Sequence, residues 1–403
     1  MRILFFSISF IFFFLLPNKA NSEEEIIPIH VYDIYGTFNS ELTIGKNATS
    51  ILFLEIDLQG EYSWTNHHYY NISSSTTIRQ VNQEPFKLKV IDKEETAIIY
   101  EDFIKIISYN LNNRGSMIDK KEFIIDDFRF IYLPESGYIN HQSISLSFIP
   151  YENNEQFSII GLLYKQKLIK RKQFSIAKGE NSYKNIHFGG IPKNIIEKYS
   201  SKCKIDINKK SWGCSFSYLY MEDNPNKIFS LPSLHYVYFQ ANSNKIKVPS
   251  SLFDFFSQGV FASYLSSKQC TEDNLGNYRR ISCKCESIES FPKLVLVIDK
   301  MKIVLNNDVL FENTVGICSF LIDVNRNEDS ESSITIGSSL YSTYNILFDY
   351  EDNSITFYSK NKIEFINNFS TQSKIKALIY ITQVIIITWL IILLFNINII
   401  LRK

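Results

Sequence analysis

The chain has 403 residues, with 42 basic and 42 acidic side chains and a formal charge of zero at pH 7. That balance excludes the basic footprint of a general nucleic-acid or polyanion binder. A hydrophobic fraction of 45%, a third of it aromatic (15% of all residues), can fill a large core, and the length leaves room for two.

The first residues read as a secretory signal. Arg2 supplies the positive charge, Ile3 to Leu16 form a mostly apolar run, and Ala20 and Ser22 are small residues suited to cleavage. Residues 1–22 are therefore expected to be removed. Strand-like segments follow at Ser50–Asp57, Phe123–Leu133, Lys293–Leu305 and Ile355–Tyr358, where β-branched and aromatic residues alternate or run together between Asn, Ser, Asp and Gly. Helical patterns are short: Gly161–Ile169, and Ser250–Phe256 behind the Val248-Pro249 turn. All six cysteines lie between Cys203 and Cys318, an even number that fits disulfides in an oxidising compartment. Cys203 and Cys214 enclose a short loop and are expected to pair locally. Cys270, Cys283, Cys285 and Cys318 then give two more bridges of open connectivity. N-glycosylation triplets stand at Asn47, Asn71 and Asn368. Residues 377–401 carry no charge, enough at about 1.5 Å per residue to cross a hydrocarbon core about 30 Å thick, and are expected to form a transmembrane helix. A cleaved signal sets the ectodomain on the lumenal or extracellular side, at the cell surface or in an endolysosomal membrane, with residues 361–376 as a stalk and 402–403 as the cytoplasmic tail.

Several segments, taken in order, resemble the pepsin family of aspartic proteases. Tyr35-Gly36-Thr37 through Ile44-Gly45 is similar to that family's opening hairpin. Twelve residues later comes Asp57-Leu58-Gln59-Gly60, with Trp64 seven residues beyond Asp57; the family has Asp-Thr-Gly-Ser and a tryptophan at that spacing. Ile159-Ile160-Gly161-Leu162 and Phe174-Ser175-Ile176 are similar to strands closing the first lobe, and Ile186-His187-Phe188-Gly189-Gly190 to the strand opening the second. Trp212-Gly213-Cys214 is similar to the strand after that, and Val248-Pro249-Ser250-Ser251-Leu252 to the turn and helix about nine residues after the second catalytic aspartate. Ile334-Thr335-Ile336-Gly337, followed by Phe348-Asp349, is similar to the last signature, and Cys270 and Cys318 bracket the segment before it in the manner of a lobe-stapling pair. The resemblance implies an all-β, bilobal ectodomain, with lobes at 23–185 and 186–360. It also implies a tyrosine-led flap at Tyr100, forty-three residues after Asp57.

Aspartic proteolysis needs two carboxyl groups sharing one proton, one acting as base on water and the other donating to the scissile carbonyl. Asp57 stands at the first position. Counting nine residues back from Pro249 gives Gln240-Ala241-Asn242 at the second, where a carboxamide cannot ionise, and no acidic residue lies between Leu231 and Pro249. Gln59 and Asn242 also replace the glycine behind each carboxylate, so both loops are expected to have lost their turn chemistry. Only about ten residues separate Glu23 from the first strand, short for the basic prosegment usual in the family. The expected protein is a degenerate, membrane-anchored homologue that binds peptide or protein in its cleft without cutting it; the alternative is an active membrane-bound aspartic endopeptidase.

No cofactor is implied. His67 and His68 are adjacent, so on a strand they point to opposite faces, and no zinc-binding His-Glu-x-x-His spacing occurs. A glycine-rich phosphate loop and a nucleophile elbow are likewise missing, which removes common nucleotide and serine-hydrolase readings.

Overall fold

The structure is a computed structural model that describes residues 26–365, apart from 35–36, 46–51, 83, 91–92, 112–116, 136–141, 149–154, 179–183, 231–234, 276–277, 290 and 325–332. The expected signal segment, Asn47, Asn368 and the 377–401 span lie outside the described residues. Among the described residues no helix is long and apolar enough to cross a membrane.

The first half of the chain forms β1 (Ile27–Ile34), β2 (Thr37–Ile44), β3 (Leu52–Asp57), β4 (Trp64–Asn66), β5 (Arg79–Gln80), β6 (Phe86–Val90), β7 (Lys93–Leu111), β8 (Met117–Leu133) and β9 (Ser143–Ser145). β3 shows how the pattern builds the site. Leu52, Leu54 and Ile56 are buried while Phe53, Glu55 and Asp57 are not, so strand alternation sends the acidic residues away from the core. α1 (Ile159–Lys165) follows, where the resemblance had implied a strand at Ile159–Leu162. Ser158 explains the difference: its side chain accepts from the Gly161 amide at 3.1 Å, capping a helix start. Lys167, at φ 59, then closes the turn beyond it.

Next come β10 (Gln173–Lys178), β11 (Lys184–Phe188), β12 (Tyr199–Lys204), β13 (Gly213–Met221), β14 (Asn224–Phe229), β15 (Tyr236–Phe239) and β16 (Ile246–Val248). α2 (Ser250–Asp254) starts directly after Pro249. The chain ends with β17 (Cys270–Leu275), β18 (Tyr278–Lys284), β19 (Leu294–Ile298), β20 (Met301–Leu305), β21 (Phe311–Thr314), β22 (Ile317–Phe320), β23 (Ile322–Val324), β24 (Ser333–Ile336), β25 (Asn345–Asp349) and β26 (Ser354–Ser359). The expected strand at Lys293–Leu305 is a hairpin, β19 and β20, turned at Asp299 and Lys300, both with positive φ (43° and 71°).

Strands from the two ends of the chain share a sheet. In the order β12-β26-β25-β10-β11-β1 each strand is antiparallel to the next, and the sheet continues through β2 into the first half. The 185/186 lobe boundary falls inside β11. Below this sheet the core is continuous. Trp212, fully buried, packs against Phe148, Phe174, Phe348 and Tyr350 with ring centroids 4.8–5.7 Å apart, so residues from both halves close on one indole.

Three disulfides pair Cys203 with Cys214, Cys270 with Cys283 and Cys285 with Cys318. The local Cys203–Cys214 bridge is as expected. A Cys270–Cys318 staple does not form: β18 lies between their strands, and Cys270 bonds Cys283, directly opposite it on the β17–β18 hairpin. With three bridges the chain is of extracellular or secretory type.

Candidate functional site

Two sets of four strands repeat one pairing scheme. β3 runs parallel to β9 with Glu55 opposite Ser143, β9 is antiparallel to β4 with Ser143 opposite Trp64, and β4 is parallel to β8. In the second half β15 runs parallel to β24 with Tyr238 opposite Thr335, β24 is antiparallel to β16 with Thr335 opposite Lys247, and β16 is parallel to β23. Matching Ser143 to Thr335 matches Glu55 to Tyr238 and Trp64 to Lys247. Two residues past the first pair, Asp57 matches Gln240, and seven residues separate each from Trp64 or Lys247. The backbone bonds differ at this point: Asp57 O accepts from the Leu146 amide at 2.8 Å, whereas the amide of Ser338, the residue matching Leu146, donates to Ser243 O at 2.6 Å, and the Gln240 amide donates to Ile336 O at 3.0 Å. The strand corresponding to β24 is thus β9, Ser143-Ile144-Ser145, and not the Ile159–Leu162 segment.

The Asp57 carboxylate is held by its own loop. Oδ1 accepts from the Gln59 amide at 2.8 Å and the Gly60 amide at 2.9 Å. A Cβ on Gly60 would sit 2.3 Å from Asp57 Oδ2, so a larger residue there would push the carboxylate aside. The first loop has kept a turn that bonds its carboxylate, with the glycine one residue later than expected; Gln59 has not dismantled it. Ser145 ties the loop down from behind, its amide donating to Ser63 Oγ at 2.9 Å and its hydroxyl to Gly60 O.

The loop at 240–242 is anchored differently. Ala241 O accepts from the Phe38 amide at 2.9 Å and Asn242 O from Thr37 Oγ1 at 3.4 Å, so the start of β2 braces it across the two halves. Gln240 is 4% exposed, and its Nε2 has no hydrogen-bond partner among the described residues. Gly337 lies against the next turn, where a Cβ would stand 2.3 Å from Ser243 O.

A cleft of about 570 Å³ opens beside Asp57. Its acidic lining comes from Glu55, Asp57 and Glu61, and its apolar walls from Tyr62, Trp64 and Leu88. Lys89, Ser143, Asn242 and Gly60 complete it. Leu88 and Lys89 belong to the β6–β7 hairpin, which sequence reasoning did not single out. Tyr100 lies further along β7, its ring stacked on Phe130 at 6.4 Å and edge-on to Tyr132 at 5.8 Å, and is not among the lining residues.

Two other buried acids serve the scaffold. Asp102 accepts from Tyr70 Oη at 2.9 Å, Ser75 Oγ at 2.7 Å, Thr77 Oγ1 at 2.6 Å and the Phe103 amide at 2.8 Å. Burial and the adjacent Asp102 push the Tyr70 hydroxyl far above its ordinary pKa. Burial alone would raise the Glu101 carboxyl, but Arg79 and Arg129 bond it and hold it below the usual range. His67 and His68 lie in the turn after β4 and not on a strand, so their rings do not point to opposite faces as expected but meet at the surface, 3.8 Å between centroids and tilted by 40°. Among the described residues no group of three or more His, Cys, Asp or Glu could hold a metal ion. Asn71 is exposed and caps the short helix at Ile72–Ser74.

The family model described as eukaryotic aspartyl protease matches residues 54–360. The crystal structure of Basic 7S globulin from soybean is similar in fold, with a TM-score of 0.63 and 15% identity over 84% of this chain and 96% of that one. No curated protein sequence matches the chain.

Proposed function

The chain belongs to the eukaryotic aspartyl protease family over residues 54–360, and from that premise we propose that it is a member without catalysis, holding peptide or protein segments in the cleft beside Asp57. The strand register that sets Gln240 at the position matching Asp57 is the observation that supports this reading. A carboxamide neither ionises nor takes a proton from water, so the pair cannot share one. Losing acid and base assistance costs about 10² to 10⁴ in rate, and breaking a unit that acts together costs more. A signal at 1–22 and a span at 377–401 would tether the protein with this cleft on the lumenal or outer face. Glycans on Asn47, Asn71 and Asn368 fit that setting.

The test is proteolysis by the full-length protein, assayed with a denatured protein substrate from pH 4.5 to 6.5 while circular dichroism follows the fold. The expected result is no pepstatin-sensitive cleavage at any pH where the fold persists. Such cleavage by the native sequence would overturn the reading. The double variant Gln240→Asp with Asn242→Gly asks whether the remaining geometry can still support the reaction once the missing acid is returned.

A further inference from the structure

We propose that the Asp57 cleft selects a positively charged side chain, lysine or arginine, on the segment it holds; this rests on reading the cleft as a peptide-binding groove. The lining carries three acidic side chains, Glu55, Asp57 and Glu61, against one basic one, Lys89. Glu55 and Asp57 reach it together because they are two apart on β3, on the face turned away from the core. The carboxylate of Asp57 is fixed in orientation by two backbone amides on Oδ1, and an acceptor fixed in advance costs less ordering when a cation arrives. Charge-assisted hydrogen bonds between a guanidinium or ammonium and a carboxylate are the stronger class.

The walls favour the same occupant. Tyr62, Trp64 and Leu88 present apolar surface beside the acids. Lysine and arginine have aliphatic stems that cover such surface while the charged head stays with polar groups, and a cation over an indole or phenol ring gains further attraction. An aspartate or glutamate would meet like charge, and a neutral polar side chain would use only the walls.

The experiment retains end-capped randomised octapeptides on immobilised full-length protein at pH 7, in three pools whose central residue is fixed as Arg, Gln or Glu, and quantifies the bound peptide by mass spectrometry. Exposed ion pairs are modest, so the Arg pool is expected to exceed the Gln pool by about twofold to fivefold, with the Glu pool lowest. That ratio should shrink in about 0.5 M salt, which screens exposed charges. Glu61→Gln should lower it and Lys89→Gln should raise it; both residues are exposed, so neither change threatens the fold. Equal retention of the three pools would overturn the charge selection and leave the groove standing as a peptide site. Retention of none would overturn the groove reading together with it.

Discussion

His187 lies in β11 between Pro28 of β1 and Ser175 of β10, 3% exposed, with no hydrogen-bond partner on Nδ1. Burial holds its pKa down to about 4, against an ordinary 6.5. The unfolded chain therefore takes up a proton on this ring near pH 6.5, while the folded chain resists until about pH 4. Between those values the unfolded state binds more protons, so stability falls as the pH falls. The whole window is worth about 3 kcal/mol, of which about 2 kcal/mol is lost between pH 7 and pH 5. Against a typical total of 5–15 kcal/mol this is a large share. Urea unfolding of the native sequence and of His187→Gln at pH 7, 6 and 5 measures it. The native protein should lose about 2 kcal/mol more than the variant over that range, whatever their difference at pH 7. Identical pH dependence in the two proteins would refute the argument, since glutamine does not titrate.

Gly60→Ala should displace the Asp57 carboxylate, because the new Cβ would lie 2.3 Å from Oδ2, and should cost about 1–3 kcal/mol in a thermal melt while weakening peptide retention. Replacing both Cys285 and Cys318 with serine opens a loop of 33 residues and should cost about 3–4 kcal/mol, read from the denaturant midpoint under oxidising conditions. Arg79→Ala combined with Arg129→Ala removes both cations bonded to Glu101; because Arg79 is largely exposed the loss falls short of that for a fully buried pair, but the denaturant midpoint at pH 7 should drop. Because the Glu101 pKa is depressed in the fold, that pair contributes above the ordinary carboxylate range and its contribution disappears as acidification passes the depressed value. The penalty of the double variant should accordingly be smaller at acid pH than at pH 7.

The motifs legible in the sequence were those fixed by geometry that few residues satisfy. Asp57 and Trp64 at their spacing, the Val248-Pro249 turn ahead of α2, and Ile334 to Gly337 on β24 are positions where a turn, a fixed φ or a close backbone approach restricts the choice. Gly337 is the clearest, with three backbone atoms within 3 Å of any Cβ. β9 was not legible. Its Ser143-Ile144-Ser145 carries one apolar side chain where β24 carries two, and its serines read as loop; Ser145 can be buried because it bonds Ser63 and Gly60. The apolar pattern was therefore matched to Ile159–Leu162, which looks strand-like until the Ser158 cap is counted. Tyr100 was placed by counting from Asp57, and a count cannot see which part of a long hairpin overhangs the cleft. The pairing of Cys270 with Cys283 likewise needs the β17–β18 register, which spacing alone does not supply.

The two halves of the site are unequal. The first has an acid, the amides that hold it and the glycine beside it. At the matching position in the second stands Gln240, whose buried Nε2 has no partner among the described residues, a feature that costs stability. Yet the second half preserves the close approach of Gly337 to Ser243, the Phe38 amide on Ala241 O and the parallel pairing of β15 with β24. If only folding were at stake, a buried amide with an unmet donor would be a poor choice beside an apolar residue of similar volume. The strand pairing around the cleft is alike on both sides while the side chains at 57 and 240 differ, and under the function proposed above that combination fits a groove kept for what it holds.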